Sequence, residues 1–284
     1  MKKYCVTSLI AAAVIFTSVS AFAFPYYANE YNGVFFRNSE VLVDNDQSGT
    51  VSTGDVFWGV MSVQNIVAPT NIFGQTGPNI WQTGSVPQEI TGYFATEVVG
   101  VVDQGGGLST IVFSAAGAND PNGLLVGGEA VLIYEGNTVN YNDSTQALGL
   151  STATDGSLAF SLGFADMSNY WYTPNLPGSA ITAPGTAGPV GVSYAGLDFI
   201  QLPAFGFDDV NDPNESVVNT DVNFWFNSEI FDFGVFGTAD GRTDFHFGSN
   251  DPAVFFPVPE PSTFVLLGAG ILGFLVIGRK RGQK

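Results

Sequence analysis

The chain has 284 residues, 26 of them acidic and eight basic, for a formal charge of −18 at neutral pH. Such a surface repels phosphate backbones, which excludes nucleic acid as a partner, and a hydrophobic share of 45% excludes a disordered polyelectrolyte. The one histidine, His246, excludes a multi-histidine zinc site.

From the N-terminus, Lys2 and Lys3 precede an apolar run through Ile10 to Ile15, and Ala21-Phe22-Ala23 has the small-x-small pattern that signal peptidase cuts. Residues 1–23 therefore read as a signal-peptide helix, with the mature chain starting at Phe24. Cys5, the only cysteine, lies too near the start for a lipoprotein acylation box and leaves with this segment. The mature chain then has no disulfide and no Cys–His chemistry. Between Phe24 and Val258 only Arg37 and Arg242 stand against 25 acids, a formal charge of −23. That surplus suits divalent cations or a medium whose salt screens it.

The body, residues 24–257, is long enough for one large or two small domains. Few Lys, Arg and Leu, many Gly and Thr, and short Val/Phe runs favour strands over helices. The spacing predicts strands at Gly33 to Val43, Val56 to Val67, Glu89 to Val102, Leu108 to Ser114 and Ala130 to Tyr134. Further strands are predicted at Leu158 to Phe164, Val192 to Leu202, Val222 to Phe236 and Thr243 to Phe247. With Gly/Asn/Asp/Pro breaks between them, these imply an all-β fold, an antiparallel β-sandwich or jelly roll. No helical period stands out between the termini, and no internal repeat is strong enough for a solenoid. Tyr170 to Pro189, with Pro174, Pro177, Pro184 and Pro189, reads as a long surface loop of one domain or a hinge between two halves; the single domain is preferred.

The sharpest motif in the body is Asp44-Asn45-Asp46-Gln47-Ser48-Gly49-Thr50-Val51-Ser52-Thr53-Gly54-Asp55. Counted from Asp44, oxygen side chains fall at positions 1, 3, 5, 9 and 12, with glycine at 6 and an aliphatic at 8. This resembles an EF-hand-type calcium loop. A hard cation needs six to eight oxygens, and the glycine turn brings Asp44, Asp46, Ser48, the Thr50 carbonyl and Asp55 around one centre. Asp55 stands where such loops carry glutamate; its shorter arm weakens bidentate contact. The flanks read as strands, so a Ca²⁺ here stabilises rather than signals. The competing reading is an Asp/Asn/Gly hairpin connection without an ion. A second acidic cluster, Asp208, Asp209, Asp212 and Glu215, lacks the spacing and reads as a solvated loop.

Catalysis has few footholds. Asp244 and His246 share one face of a predicted strand, and a structural pair is the expected outcome. No Gly-x-Ser-x-Gly elbow precedes a helix, and 25 acids make some glycosidase-like carboxylate spacing unavoidable without pointing to one. No enzymatic activity is expected. Phe224-Trp225-Phe226 fills both faces of a strand, as core aromatics do. Tyr170, Trp171 and Tyr172, beside the proline-rich stretch, are the candidate ligand contacts of a sugar-binding face.

The last 27 residues join Val258, Pro259, Glu260 and Pro261 to an uncharged stretch from Phe264 to Gly278 and then to Arg279, Lys280 and Arg281. Residues 262–278 give about 17 helical positions, about 26 Å against a bilayer core of about 30 Å, a deficit that thinning or snorkelling covers. The alternative, a buried core helix, fits poorly with Gly268, Gly270, Gly273, Gly278 and the cationic end. Arg279, Lys280 and Arg281 stop transfer and place the C-terminus in the cytoplasm, with the body outside. This tail resembles the sorting signal of the PEP-CTERM proteins of Gram-negative bacteria, which an integral-membrane transpeptidase, the exosortase, processes. The resemblance covers only Val258 to Lys284. It implies export across the inner membrane, transient anchoring by a transmembrane helix, cleavage near Pro259 to Pro261, and transfer to the cell surface or an exopolysaccharide matrix. The expectation is a surface or matrix protein with a structural or adhesive role. The alternative is a calcium-stabilised carbohydrate-binding module acting on the exopolysaccharide.

Overall fold

A computed structural model describes residues 25–28, 30–70, 77–177, 189–201, 206–208, 210–211, 221–232 and 245–258. The long strands are β1 (Asn32–Val43), β2 (Val56–Val67), β4 (Glu89–Gly105) and β5 (Leu108–Ala115), with the short β3 (Asn79–Gln82) between β2 and β4. They are followed by β6 (Glu129–Gly136), β7 (Ser157–Gly163), β8 (Tyr170–Pro177) and β9 (Pro189–Gln201). Three minor strands, β10 (Gly206–Asp208), β11 (Val210–Asn211) and β12 (Asp221–Val222), precede β13 (Phe224–Asp232) and β14 (Phe247–Val258). One α-helix, α1 (Gln146–Ala153), lies between β6 and β7.

The all-β, antiparallel expectation holds, but the pairings close on themselves where a sandwich or jelly roll keeps two sheets apart. From β2 the ladder runs through β1, β14 and β13 to β9, and β4 pairs back onto β2 from Val56↔Glu97 to Ser62↔Thr91. Between β9 and β4 the wall forks. Near Gln201 and Phe199, β9 pairs with β7, which leads through β6 to the first half of β4. At Tyr194 to Gly196, β9 pairs instead with β8, which leads through β5 to the second half of β4. Either route gives a ring of eight antiparallel strands. Eight strands leave an interior just wide enough for side chains or one small ligand. The reason for closure lies in β4, whose 17 residues reach along both branches and whose register shifts at Val98/Gly100. Bulges of this kind bend a strand and add twist. Gly59 marks the tightest point of the seam, where an added Cβ would lie 2.5 Å from Ser39 O and 2.6 Å from the Phe94 ring.

Alternation then sorts side chains into two layers. Val34, Phe36, Met61, Val63, Phe94 and Phe226 join the inner core, to which each fully buried apolar side chain contributes about 1.5–3 kcal/mol. On the outer face, Val41, Trp58, Val60, Tyr93 and Leu132 form a second cluster under the loops and α1. The missed helix has the sequence QALGLSTA, too short to be stable alone and without a clear apolar stripe. It forms because Thr145 Oγ1 accepts the Leu148 N–H at 3.2 Å and Thr91 Oγ1 donates to Ala153 O at 2.8 Å. Gly149 lets it sit close to Val60 and Phe245.

Several strand ends shift by a few residues, β3, β10, β11 and β12 were not expected, and two departures are larger. Residues 170–177, taken for the start of a loop or hinge, form strand β8, because their alternation finds partners in β5 and β9. The strand expected at Thr243 to Phe247 instead begins at Phe247 and runs to Val258, with Pro252 inside it. Among the described residues no helix is long and apolar enough to cross a membrane. The predicted signal peptide, residues 1–23, and the predicted transmembrane helix, residues 262–278, lie outside the described residues.

Glu135 pairs opposite Ile90 at the end of the wall away from the 44–55 loop. Burial lifts its carboxyl from the ordinary 4.5 to about 7. Between those values the folded chain holds a proton that the unfolded chain has lost, so stability falls as pH rises through this window and the penalty is complete above it. Glu135→Gln should melt higher than the parent protein at pH 8 and at the same temperature at pH 4. Equal melting at both values would refute the assignment.

Candidate functional site

The loop joining β1 to β2 is built from its own polar groups. Asp44 accepts the Ser48 N–H at 3.1 Å and the Gly49 N–H at 2.8 Å, which folds the first half back on itself. Gly49 has φ +72°, the left-handed value this turn requires. Asp46 accepts the Ser48 N–H at 3.0 Å and the Ser52 hydroxyl at 2.9 Å. Asp55 is fully buried and accepts N–H groups from Asn45 at 2.9 Å and Ser52 at 2.8 Å, with the Ser52 hydroxyl at 3.3 Å. Ser48 Oγ donates to the Thr50 carbonyl at 2.8 Å.

These contacts bring carboxylate oxygens of Asp44, Asp46 and Asp55 within 4.8 Å of one another. Hydrogen bonds from Ser48 and then Ser52 hold the Asp46 carboxyl down at about 2, so it is charged at any ordinary pH. A carboxylate oxygen has two lone pairs, so both oxygens of Asp44 and Asp46 and Oδ1 of Asp55 keep acceptor capacity, whereas Asp55 Oδ2 is occupied by the Ser52 N–H and hydroxyl. Ser52 was counted among the loop's oxygen positions but not among the site residues; its hydroxyl joins Asp46 to Asp55. The loop is tied to the ring wall as well, since Gly54 N donates to Val98 O and Val98 N to Asp55 O, both at 2.8 Å.

The aromatic triplet is divided by strand alternation. Trp171 turns inward, packed on Phe94, Phe113 and Phe226, with its indole N–H on Ser193 Oγ at 2.8 Å. Tyr170 and Tyr172 stay on the outer face, half-buried, with ring centroids 5.9 Å apart. Tyr194 from β9, absent from the expected set, stacks on Tyr172 at 5.5 Å and 28°. Cross-strand pairing was the missing signal, because Tyr172 and Tyr194 are 22 residues apart in sequence and directly opposite in the sheet.

Other acids that could suggest chemistry hold backbone. Asp120 accepts N–H groups from Leu124 at 2.6 Å and Leu125 at 2.9 Å, together with the Tyr93 hydroxyl. Burial, and then that hydroxyl bond, pushes the Tyr93 phenol well above its ordinary value. Glu89 takes the Asn140 and Tyr141 N–H groups, and burial raises its carboxyl. Glu129 accepts from Ser161 Oγ at 2.6 Å and Val126 N at 3.0 Å. Asp143 takes the Ser39 hydroxyl at 2.8 Å and pairs with Arg37 at 3.3 Å. His246 is exposed and accepts the Leu42 N–H at Nδ1, 3.2 Å; Asp244 lies outside the described residues. Asp208 ends β10, while Asp209, Asp212 and Glu215 lie outside the described residues.

Val258 is the last residue of β14; Pro259, Glu260, Pro261, Arg279, Lys280 and Arg281 lie outside the described residues. Residues 257–281 match the model of the PEP-CTERM protein-sorting motif. No curated protein and no solved structure matches the chain.

Proposed function

We propose that this chain is an exported protein whose barrel body serves a structural or adhesive role at the cell surface or in an exopolysaccharide matrix, without enzymatic activity. The observation that carries the reading is the PEP-CTERM motif at residues 257–281, which implies export, transient membrane anchoring and an exosortase as processing partner. Signal peptidase acts first, after Ala23. Arg279, Lys280 and Arg281 then hold the C-terminus on the cytoplasmic side while the body folds outside. The matched motif begins at Pro257, in the last two residues of β14, and β14 pairs with both β1 and β13 in the ring. A cut within Pro259 to Pro261 would leave that strand whole, so the body can be released without opening its wall. The non-enzymatic reading is supported by the buried acids Asp120, Glu89 and Glu129, each of which is engaged with backbone N–H groups.

In this reading Ca²⁺ is held by Asp44, Asp46, Ser48, the Thr50 carbonyl and Asp55. The convergence of three carboxylates supports it, and the engagement of both Asp55 oxygens with the loop supports weak affinity, of order 0.1–1 mM as in extracellular modules. An ion there would fasten β1, β2 and β4 together through the Gly54–Val98–Asp55 bonds. A second reading, a carbohydrate-binding face, is favoured by the outward Tyr170, Tyr172 and Tyr194, whose flat rings suit stacking on sugar faces.

Mass spectrometry of the protein from the outer fraction should find a C-terminus within Pro259 to Pro261; an intact chain with both ends in the soluble cytoplasm would sink the export reading. Millimolar calcium should raise the melting temperature by about 2–4 °C, and Asp44→Ala should abolish the rise. No calcium effect on the parent protein would remove the metal from the proposal. On a glycan array, Tyr172→Ala should lose at least tenfold in affinity if the sugar-binding reading holds, whereas Asp155→Asn, away from this face, should not.

A further inference from the structure

β4 runs on past the seam that it closes. Its pairs with β2 end at Val56↔Glu97, whereas its pairs with β5 continue to Gly105↔Leu108. At Val98 the edge away from β5 is capped by the β1–β2 loop, since Gly54 N donates to Val98 O and Val98 N to Asp55 O. Among the described residues nothing pairs with that edge from Val99 to Gly105. The strip is open to solvent: Val99, Val101 and Val102 are 48%, 39% and 51% exposed. It ends where Asp103 Oδ1 accepts the Gly105 N–H at 2.7 Å and Gly105, Gly106 and Gly107 turn the chain at positive φ.

Sheet edges are usually blunted by Lys, by Pro or by inward charges, because their N–H and C=O groups recruit other strands. This strip has no Lys, Arg or Pro and no charge before Asp103; from Val98 it reads Val-Val-Gly-Val-Val. Charge argues for the occupant. A cationic partner would be drawn to the acidic faces of the −23 body rather than to an uncharged edge. Two copies repel one another over those faces, so an uncharged strip is where they approach at least cost. Symmetry argues the same way, since pairing about a two-fold axis needs one patch that is complementary to itself. An antiparallel strand edge meets that condition through its own alternating donors and acceptors.

We propose that Val99 to Gly105 is a docking edge for a second copy of this chain, the two strips pairing antiparallel about a two-fold axis at Val102. The caps set the register. With Val101 on the axis, Gln104 of one copy would fall opposite Val98 of the other, whose backbone groups the loop already holds. With Val102 on the axis, Val98 faces Gly106 in the turn, and Gly100 lies opposite Gln104. The contact joins β5 and β4 of each copy into one continuous sheet. Its size sets the strength: a standard interface buries about 800 Å² per partner with about 20–30 residues a side, and this strip is about a third of that length. Association is therefore weak in dilute solution and grows where copies share one surface, at effective concentrations of order millimolar. The pairing needs only the folded body, so it stands or falls separately from the export reading.

Disulfide trapping reads the register directly. Opposite residues of an antiparallel pair have Cα atoms about 4.5–5.5 Å apart, within disulfide reach, whereas the two copies of Val99 would stand about 20 Å apart along the strands. The full-length chain with Cys5→Ser, held in a zwitterionic detergent, carries one new cysteine at a time and is oxidised with diamide. Val102→Cys should form the disulfide dimer at least tenfold faster than Val99→Cys or than Val126→Cys, which is 68% exposed in the loop before β6. A mixture of Gly100→Cys and Gln104→Cys chains should cross-link at least tenfold faster than either alone; at Gly100 an added Cβ meets only Val112 Cβ, at 3.8 Å. Equal rates at positions 99, 102 and 126, as collision or the anchor helices would give, or no dimer at 102, would overturn the proposal. Amide exchange of the parent chain needs no substitution: protection across Val99 to Gly105 should rise with protein concentration, and protection that stays constant would overturn it as well.

Discussion

The pairing of β2 with β4 is the constraint from which the rest of the structure follows. Without the seven residue pairs from Val56↔Glu97 to Ser62↔Thr91, β2 and β4 would each present an open edge, with unpaired N–H and C=O groups that invite other chains. With them, every strand of the ring has two neighbours, and each wall residue is assigned to the inside or the outside. The seam is possible because Gly59 gives up its side chain where Phe94 and the Ser39 carbonyl converge.

A second constraint is the charge imbalance. Arg37 is the only Lys or Arg among the described residues, so ion pairing cannot neutralise the acids there. The chain uses backbone N–H groups and hydroxyls instead. Asp120 and Glu89 hold the loops that cover the outer cluster, and Asp44, Asp46 and Asp55 organise the β1–β2 connection in the same way. The same carboxylates can therefore be structural caps and candidate metal ligands at once. A cation fits this economy, since it adds positive charge that the sequence lacks.

Body and tag meet without a spacer. β14 lies between β1 and β13 in the ring, and its last two residues, Pro257 and Val258, already belong to the matched sorting motif, so the folded wall and the signal overlap in the chain.

Local pattern was enough for much of the strand content, since runs such as Val56 to Val67 and Glu89 to Val102 carry their own alternation, and enough for the convergence of Asp44, Asp46 and Asp55, whose loop is contiguous. The tail was legible for the same reason: its motif, apolar stretch and cations are consecutive. What sequence could not give was whatever depends on which strand lies beside which. Ring closure, the docking of the short helix on Thr91, the inward turn of Trp171, the stacking of Tyr172 on Tyr194, and the meeting of Glu40 with Thr96 and Thr173 around one cavity all join residues distant in the chain. Alternation fixes that a side chain faces one side or the other, but only closure of the sheet decides which side is the interior.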